Sequence, residues 1–125
     1  MKMILSIALG GALGAVGRHV VGHMVAERFG RDFPYGTLAV NVIGSFLMGF
    51  LVIALASRFD ASPEWRGFLA VGVLGGFTTF SAYSLEVALL FERGAMQMSA
   101  LYAFLSVILA VGALLGGMVA GRAVL

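Results

Sequence analysis

Residues 72–86, GVLGGFTTFSAYSLE, are the most informative stretch of this chain. The stretch carries no charge before its last residue, Glu86, and is apolar enough to lie in a bilayer. Its centre nevertheless holds a Gly-Gly pair, two Thr and two Ser among three aromatic residues. Two glycines followed by two β-branched residues weaken a helix locally. A membrane tolerates such a point only where protein or water satisfies the freed backbone groups, so we predict a broken transmembrane helix that unwinds over residues 75–78.

The composition of the whole chain is that of a membrane protein. Of its 125 residues, 61% are hydrophobic and 11% are charged, and the mean hydropathy is +1.04. Soluble domains are about 45–50% apolar and about 25% charged. Eight scattered Lys and Arg are too few for a nucleic-acid interface. The chain contains no cysteine, which excludes disulfides and thiolate metal sites.

Four apolar segments approach or exceed the roughly 18 residues that a membrane-spanning helix needs. They predict an all-α membrane protein with four helices in a single transmembrane domain, residues 1–125. The expected bounds are about 3–25, 34–57, 63–91 and 95–121. Met1 and Lys2 precede the first segment as in a secretory signal, but we expect no cleavage, because no clear cleavage site follows and three more spans do.

Positive charge is almost balanced between the two ends of these helices. Four basic residues are expected at one end and three at the other: Lys2, Arg58, Arg66 and Arg122 against Arg28, Arg31 and Arg93. An excess of Lys and Arg normally fixes orientation. The weak bias fits a chain that inserts both ways and pairs antiparallel. It fits equally a single orientation fixed by one charge.

Polar side chains inside the apolar segments are the candidate functional residues. Asn41 shares one face of the second helix with Thr37 and Ser45. A carboxamide in hydrocarbon costs free energy unless it is paired, so Asn41 must bond another helix or line a water-filled path. In the last helix, Tyr102 and Ser106 lie one turn apart and can add hydroxyls to whatever Asn41 faces.

The first helix carries charge where charge is expensive. Arg18 lies within the span, so it is either a functional residue or a structural tie to a carboxylate or to helix-end carbonyls, and we favour the tie. His19, His23 and Glu27 follow at intervals of four residues on one face, a spacing that suits metal ligands. Because no further ligand is apparent, we interpret the trio as the solvent-exposed end of a helix.

The central stretch also predicts an ion path. Exposed carbonyls at a helix break can coordinate a cation, whereas freed N–H groups favour an anion. Phe77, Phe80 and Tyr83 form an aromatic stripe beside the hydroxyls, and ring edges carry the positive part of the aromatic quadrupole. Ring edges, an amide and hydroxyls can replace the hydration of a small anion without holding it so tightly that it cannot leave.

Three motifs, in this order, resemble those of one family. They are GGALGAVGR at 10–18, GTLAVNVIGSF at 36–46 and GGFTTFSAYSLE at 75–86. With these motifs, its length and its four helices, the chain resembles the Fluc fluoride channels, also called CrcB. The resemblance implies an antiparallel, dual-topology homodimer in the bacterial inner membrane. Its two pores would pass fluoride out of the cell.

The resemblance also implies roles for particular residues. Those expected along the fluoride pore are the amide of Asn41, the aromatic box of Phe80 and Tyr83, and the hydroxyls of Thr79, Ser81 and Ser106. The broken third helix would hold a structural Na⁺ at the dimer centre through the backbone carbonyls of Gly75 and Thr78 from both subunits. Arg18 would be the basic residue of the first helix.

The chain departs from the family's pattern at three positions. Tyr83 stands where Phe is usual, and its hydroxyl can either bond into the polar track or crowd the pore. Ala82 and Ala110 stand where many relatives have hydroxyls, which thins the track. We therefore expect conduction that is slower or differently tuned.

The main alternative is a proton-coupled exporter of the small multidrug-resistance type, which shares the size, the four helices and the dual topology. That mechanism calls for a membrane-embedded carboxylate early in the chain, and the first span has none. Glu86 is the only acidic residue near the interior of a span. A non-transporting packing subunit would explain the small-residue faces but not the polar, aromatic centre. An enzyme is least favoured, because no plausible catalytic triad is visible.

Overall fold

Four helical spans make up nearly all of the computed structural model, which describes residues 1–125. They are Lys2–Phe29, Tyr35–Ser57, Pro63–Glu92 and Met96–Val124, called here the first to fourth spans. Each is long and apolar enough to cross a membrane, which confirms the all-α architecture with four spans. The first span continues beyond the expected end near residue 25 and stops where Gly30 adopts a φ of 98°.

The third span is the least regular of the four. In chain order its helical segments are Pro63–Arg66, the π-helical Gly67–Leu74, Gly75–Phe77 and Phe80–Glu92. Between the last two segments, Thr78 and Thr79 have extended backbones, with ψ angles of 156° and 120°. These two residues separate a first half of the span from a second half.

The prediction that all of residues 75–78 unwind was wrong, because Gly75 and Gly76 are helical. At Gly76 the missing side chain serves close packing against the first span. A Cβ there would lie 2.8 Å from the carbonyl oxygen of Gly11. Gly76 therefore lets the first and third spans approach closely, and the extended residues come after it.

Further glycines bring the first and third spans, and the second and fourth spans, into backbone contact. A Cβ at Gly72 in the third span would lie 2.8 Å from the Cα of Gly10 in the first. A Cβ at Gly117 in the fourth span would lie 2.9 Å from the backbone nitrogen of Phe50 in the second. Small residues permit such close helix packing in membranes, where hydrophobic burial alone gives no driving force between helices.

The short connections gather at opposite ends of the bundle. At one end Arg58 donates to the carbonyl oxygen of Leu125 at 2.6 Å, which joins the second connection to the C-terminus. At the other end Arg93 donates to the carbonyl oxygen of Asp32 at 2.6 Å, which joins the first and third connections. The basic residues are thus divided between the two ends as the sequence indicated.

Gly14→Ala should destabilise the protein, because its new methyl group would lie 2.8 Å from the backbone nitrogen of Phe77. Overpacking of this kind costs about 1–3 kcal/mol. Gly11→Ala is the matched control on the same helix, since a Cβ there meets nothing within 4 Å. Thermal unfolding in detergent measures both variants. An equal loss of stability in the two would contradict this packing.

Candidate functional site

A groove of about 270 Å³ runs between the second, third and fourth spans. It brings together most of the predicted pore residues, namely Asn41, Thr79, Phe80, Tyr83 and Ser106. Thr78 and Ala110 also line it. Residues that are far apart in the sequence thus share one polar and aromatic surface within the membrane-spanning region.

A wider cavity of about 550 Å³, called here the vestibule, lies toward the end of the bundle that holds Asp32. Its lining includes three arginines, Arg18, Arg31 and Arg93, and the carboxylate of Glu86. Thr79 lines the vestibule as well as the groove. The two cavities therefore meet at the extended residues of the third span.

Two hydrogen bonds join the carboxamide of Asn41 to the backbone of Thr79. Its Nδ2 donates to the Thr79 carbonyl oxygen at 3.0 Å, and its Oδ1 accepts the Thr79 N–H at 2.8 Å. In a continuous helix that N–H would bond to the carbonyl of Gly75, four residues earlier. Because a carboxamide has two N–H donors, one donor of Asn41 remains for another partner. Asn41 thus both bonds another span and lines the groove.

Thr79 begins the second half of the third span. Its Oγ1 accepts the backbone N–H of Ala82 at 3.1 Å, which is an N-cap bond. Ser81 lies outside the groove, and its exposed side chain is near Thr79, with 3.4 Å between the two hydroxyl oxygens. The structure therefore places Ser81 beside the cap and not beside Ser106.

The ring of Tyr83 is fixed from two sides. Its hydroxyl donates to the carbonyl oxygen of Ala103 in the fourth span at 2.6 Å. Its ring centroid lies 5.4 Å from that of Phe80 and 5.3 Å from that of Tyr102. The hydroxyl therefore bonds to helix backbone and leaves the ring as a wall of the groove. Phe80, in contrast, is 76% exposed.

Ser106 has the one buried side-chain oxygen that lacks a hydrogen-bond partner. The residue is only 6% exposed, and it lines the groove. An unpaired buried hydroxyl costs about 1–3 kcal/mol. Native structures keep few such groups, and each calls for an explanation such as an ordered water or an ion.

Glu86 is a site residue to which sequence analysis gave no role. Thr37 donates to its Oε2 at 3.1 Å, and the hydroxyl of Tyr102 donates to its Oε1 at 3.3 Å. The carboxylate lies at the vestibule one turn beyond Tyr83. The sequence contained a signal for this role, because Thr37, which bonds to Glu86, shares a helix face with Asn41.

Charged residues of the first span bond to other groups of the protein. Arg18 Nη1 donates to the carbonyl oxygen of Thr78 at 3.4 Å, which is the helix-end tie that we favoured. His23 pairs with Glu27 at 3.1 Å and accepts a hydrogen bond from Arg31 at 3.5 Å. No three His, Asp or Glu side chains converge closely enough to hold a metal ion.

The comparisons with known proteins point to one family. The family model described as CrcB-like protein, Camphor Resistance (CrcB), matches residues 5–118. The chain belongs to the CrcB family. The resemblance indicated by the three motifs is thereby confirmed.

Several curated CrcB relatives match almost the whole chain. It is 50% identical to the fluoride-specific ion channel FluC of Agrobacterium fabrum, over 98% of each chain. It is 52% identical to the FluC of Rhodospirillum centenum over 94% of each, and 50% identical to that of Chelativorans sp. over 100% of each. Matches of this length include every residue of the groove.

Tyr83→Phe tests the hydroxyl anchor of this CrcB protein. We expect a loss of about 1 kcal/mol in the free energy of unfolding, because one hydrogen bond to the fourth span disappears while the ring is kept. Tyr35→Phe is the control, since it removes a tyrosine hydroxyl for which the structure shows no hydrogen bond. Thermal unfolding in detergent compares the two variants. The anchor is refuted if Tyr83→Phe is as stable as the control.

Proposed function

We propose that this protein is a passive, fluoride-selective channel that exports fluoride across the bacterial inner membrane, where it is a multi-pass protein. Curated CrcB relatives about 50% identical over the full chain are named fluoride-specific ion channels. The protein is accordingly a channel and not an enzyme. The observation that carries the proposal is the unpaired, buried hydroxyl of Ser106, which lines the same groove as the amide of Asn41.

The groove offers donors without a full positive charge. One N–H of Asn41 is left over from its pair with Thr79, and the hydroxyl of Ser106 has no protein acceptor. The edges of the Phe80 and Tyr83 rings supply the positive part of an aromatic quadrupole. Such a lining replaces part of the hydration of a small anion and still lets it leave.

Anions would reach the groove through the vestibule. Three arginines and two acidic residues line it, and the surplus of positive charge raises the local concentration of anions. Thr79 lies where the vestibule meets the groove. We place the route of fluoride past the extended residues, along Asn41 and the two rings, to Ser106.

We further propose that two copies assemble as an antiparallel, dual-topology homodimer. Phe80 is 76% exposed and lies at the edge of the groove. A partner subunit would cover Phe80 and close the open side of the groove. The near balance of basic residues between the two ends allows both orientations in the membrane.

The break in the third span also suits a structural Na⁺ at the centre of this dimer. Thr79 donates its N–H to Asn41, which releases the Gly75 carbonyl from its regular helical donor. A freed carbonyl is the type of ligand that a hard cation prefers. The Thr78 carbonyl meets Arg18 only at 3.4 Å, and its second lone pair remains for an ion. Na⁺ bound by Gly75 and Thr78 of both subunits would join the two breaks.

The proton-coupled exporter is not supported by a specific observation. Glu86 is held by Thr37 and Tyr102, and the carboxylate lies at the vestibule. The relatives that match the whole chain are named as channels. We therefore keep the channel as the one proposed function.

Fluoride efflux from proteoliposomes tests the channel. We expect electrogenic efflux from the wild-type protein and a loss of roughly tenfold in Ser106→Ala, because a buried donor facing the ion path is removed. The thermal stability of Ser106→Ala should not fall, since no protein hydrogen bond is lost. An absence of fluoride efflux from folded wild-type protein would overturn the proposal.

Ser99→Ala is the matched control for Ser106→Ala. Ser99 is equally buried on the same span, but its hydroxyl donates to the Val87 carbonyl at 2.9 Å. The control should lose about 1 kcal/mol of stability and keep its fluoride efflux. If both variants lost stability and neither lost efflux, Ser106 would be a packing residue.

Dual topology can be measured with a single cysteine, because the chain has none of its own. In Ala123→Cys, which changes no charge, a membrane-impermeant thiol reagent added to whole cells should label about half of the copies, as expected from weak charge bias. Permeabilised cells should then show labelling of the rest. Complete labelling from one side alone, or none, would establish a single orientation.

A further inference from the structure

We infer that Asn41 is a positioning residue whose carboxamide takes the place of a peptide group and holds the extended Thr79 in the membrane. This role goes beyond lining the groove. It rests on the proposed channel function, because efflux is one of its measurements. Asn41 positions the start of the second half of the third span, and thereby the ring of Phe80.

The pair between Asn41 and Thr79 has the geometry of two peptide groups in neighbouring strands. Both polar groups of the Thr79 backbone bond to one side chain, at 2.8 and 3.0 Å. The φ and ψ of Thr79 are −149° and 120°, which is a strand conformation. Two simultaneous bonds fix the distance and the rotation of Thr79 relative to the second span.

The membrane location makes this pair more than an ordinary contact. A buried backbone N–H or carbonyl without a partner costs free energy, and in hydrocarbon water cannot replace the partner. If Asn41 were removed, the Thr79 N–H would have the Gly75 carbonyl as its nearest regular acceptor. Bonding there would wind Thr79 back into the helix and change the direction of everything that follows it.

The residues that follow Thr79 form the aromatic wall of the groove. Thr79 caps the second half through Ala82, Phe80 comes directly after Thr79, and Tyr83 is one turn further. The Tyr83 hydroxyl is tied to Ala103 in the fourth span. Asn41 and Ala103 thus hold the same half-helix from two different spans, one at its start and one a turn later.

Substitution of Asn41 alone cannot separate the two roles of its side chain. Asn41→Asp keeps the acceptor for the Thr79 N–H, removes the donor to the Thr79 carbonyl and adds negative charge to an anion path. Reduced fluoride efflux would follow from either role. The bond must therefore be removed from the Thr79 side, with the Asn41 side chain left in place.

A backbone ester at position 79 does this. Incorporation of the α-hydroxy acid counterpart of threonine replaces the N–H by an oxygen that cannot donate. It also weakens the Thr78 carbonyl as an acceptor, but that effect does not depend on Asn41 and is separated by the double-mutant cycle below. We expect fluoride efflux to fall about tenfold in the full-length protein, because losing one bond to a buried group misplaces the wall of the groove. An ester at Leu85, an exposed residue in the same half-helix, also removes one backbone donor and should keep most of the efflux.

A double-mutant cycle shows whether the ester and the side chain act through the same bond. Asn41→Ser and the ester at Thr79 should be strongly non-additive, because each removes the same interaction. Additive losses would overturn the positioning role. Equal efflux for the esters at Thr79 and Leu85 would also overturn it, and would leave Asn41 as a groove residue alone.

Hydrogen exchange gives a measurement that does not depend on transport. Asn41→Ser should increase the exchange of the backbone N–H groups of residues 79–82, and Ser45→Ala should not, because Ser45 lines the groove without a hydrogen bond to the third span. Unchanged exchange in Asn41→Ser would refute the positioning role even if the channel conducts. If the wild-type protein fails to conduct fluoride, the proposed function fails, and this exchange still decides the role of Asn41.

Discussion

Every backbone polar group inside a membrane needs a partner, and the structure depends on how this is achieved at Thr78 and Thr79. The Thr78 N–H still bonds to Leu74, but its carbonyl meets Arg18 of the first span. Both backbone groups of Thr79 bond to Asn41 of the second span. The irregular segment thus explains why Arg18 and Asn41, two polar side chains that cost free energy in hydrocarbon, are present within the spans. The groove and the vestibule meet at the same segment.

Glycine makes these long-range contacts possible. A guanidinium on the first span reaches the third only because the two backbones approach closely at Gly10, Gly14 and Gly72. The second and fourth spans approach in the same way at Gly117. In hydrocarbon, where burial of apolar surface does not drive helices together, this close fit and a few interhelical hydrogen bonds determine the arrangement. The positions of the polar residues therefore follow from the positions of the smallest ones.

The sequence was sufficient for the four spans, the family and most of the groove, because long apolar segments and the motif around Asn41 and Phe80 are local signals. It was insufficient for the exact site of the extended residues and for the partners of Tyr83 and Glu86. Those partners depend on how each helix is rotated about its axis. A helix that is apolar on every side gives no amphipathic pattern from which that rotation can be read.

The π-helical winding of Gly67–Leu74 has a geometric consequence for the whole third span. Gly67 and Gly72 are five residues apart, yet a Cβ at either would contact Ile7 of the first span, at 3.5 and 3.0 Å. In α-helical winding, five residues amount to about 500° of rotation, and the two would face different neighbours. The winding before the extended residues therefore determines the direction in which they face. One residue fewer there would turn Thr78 and Thr79 by about 100° around the span axis, away from Asn41.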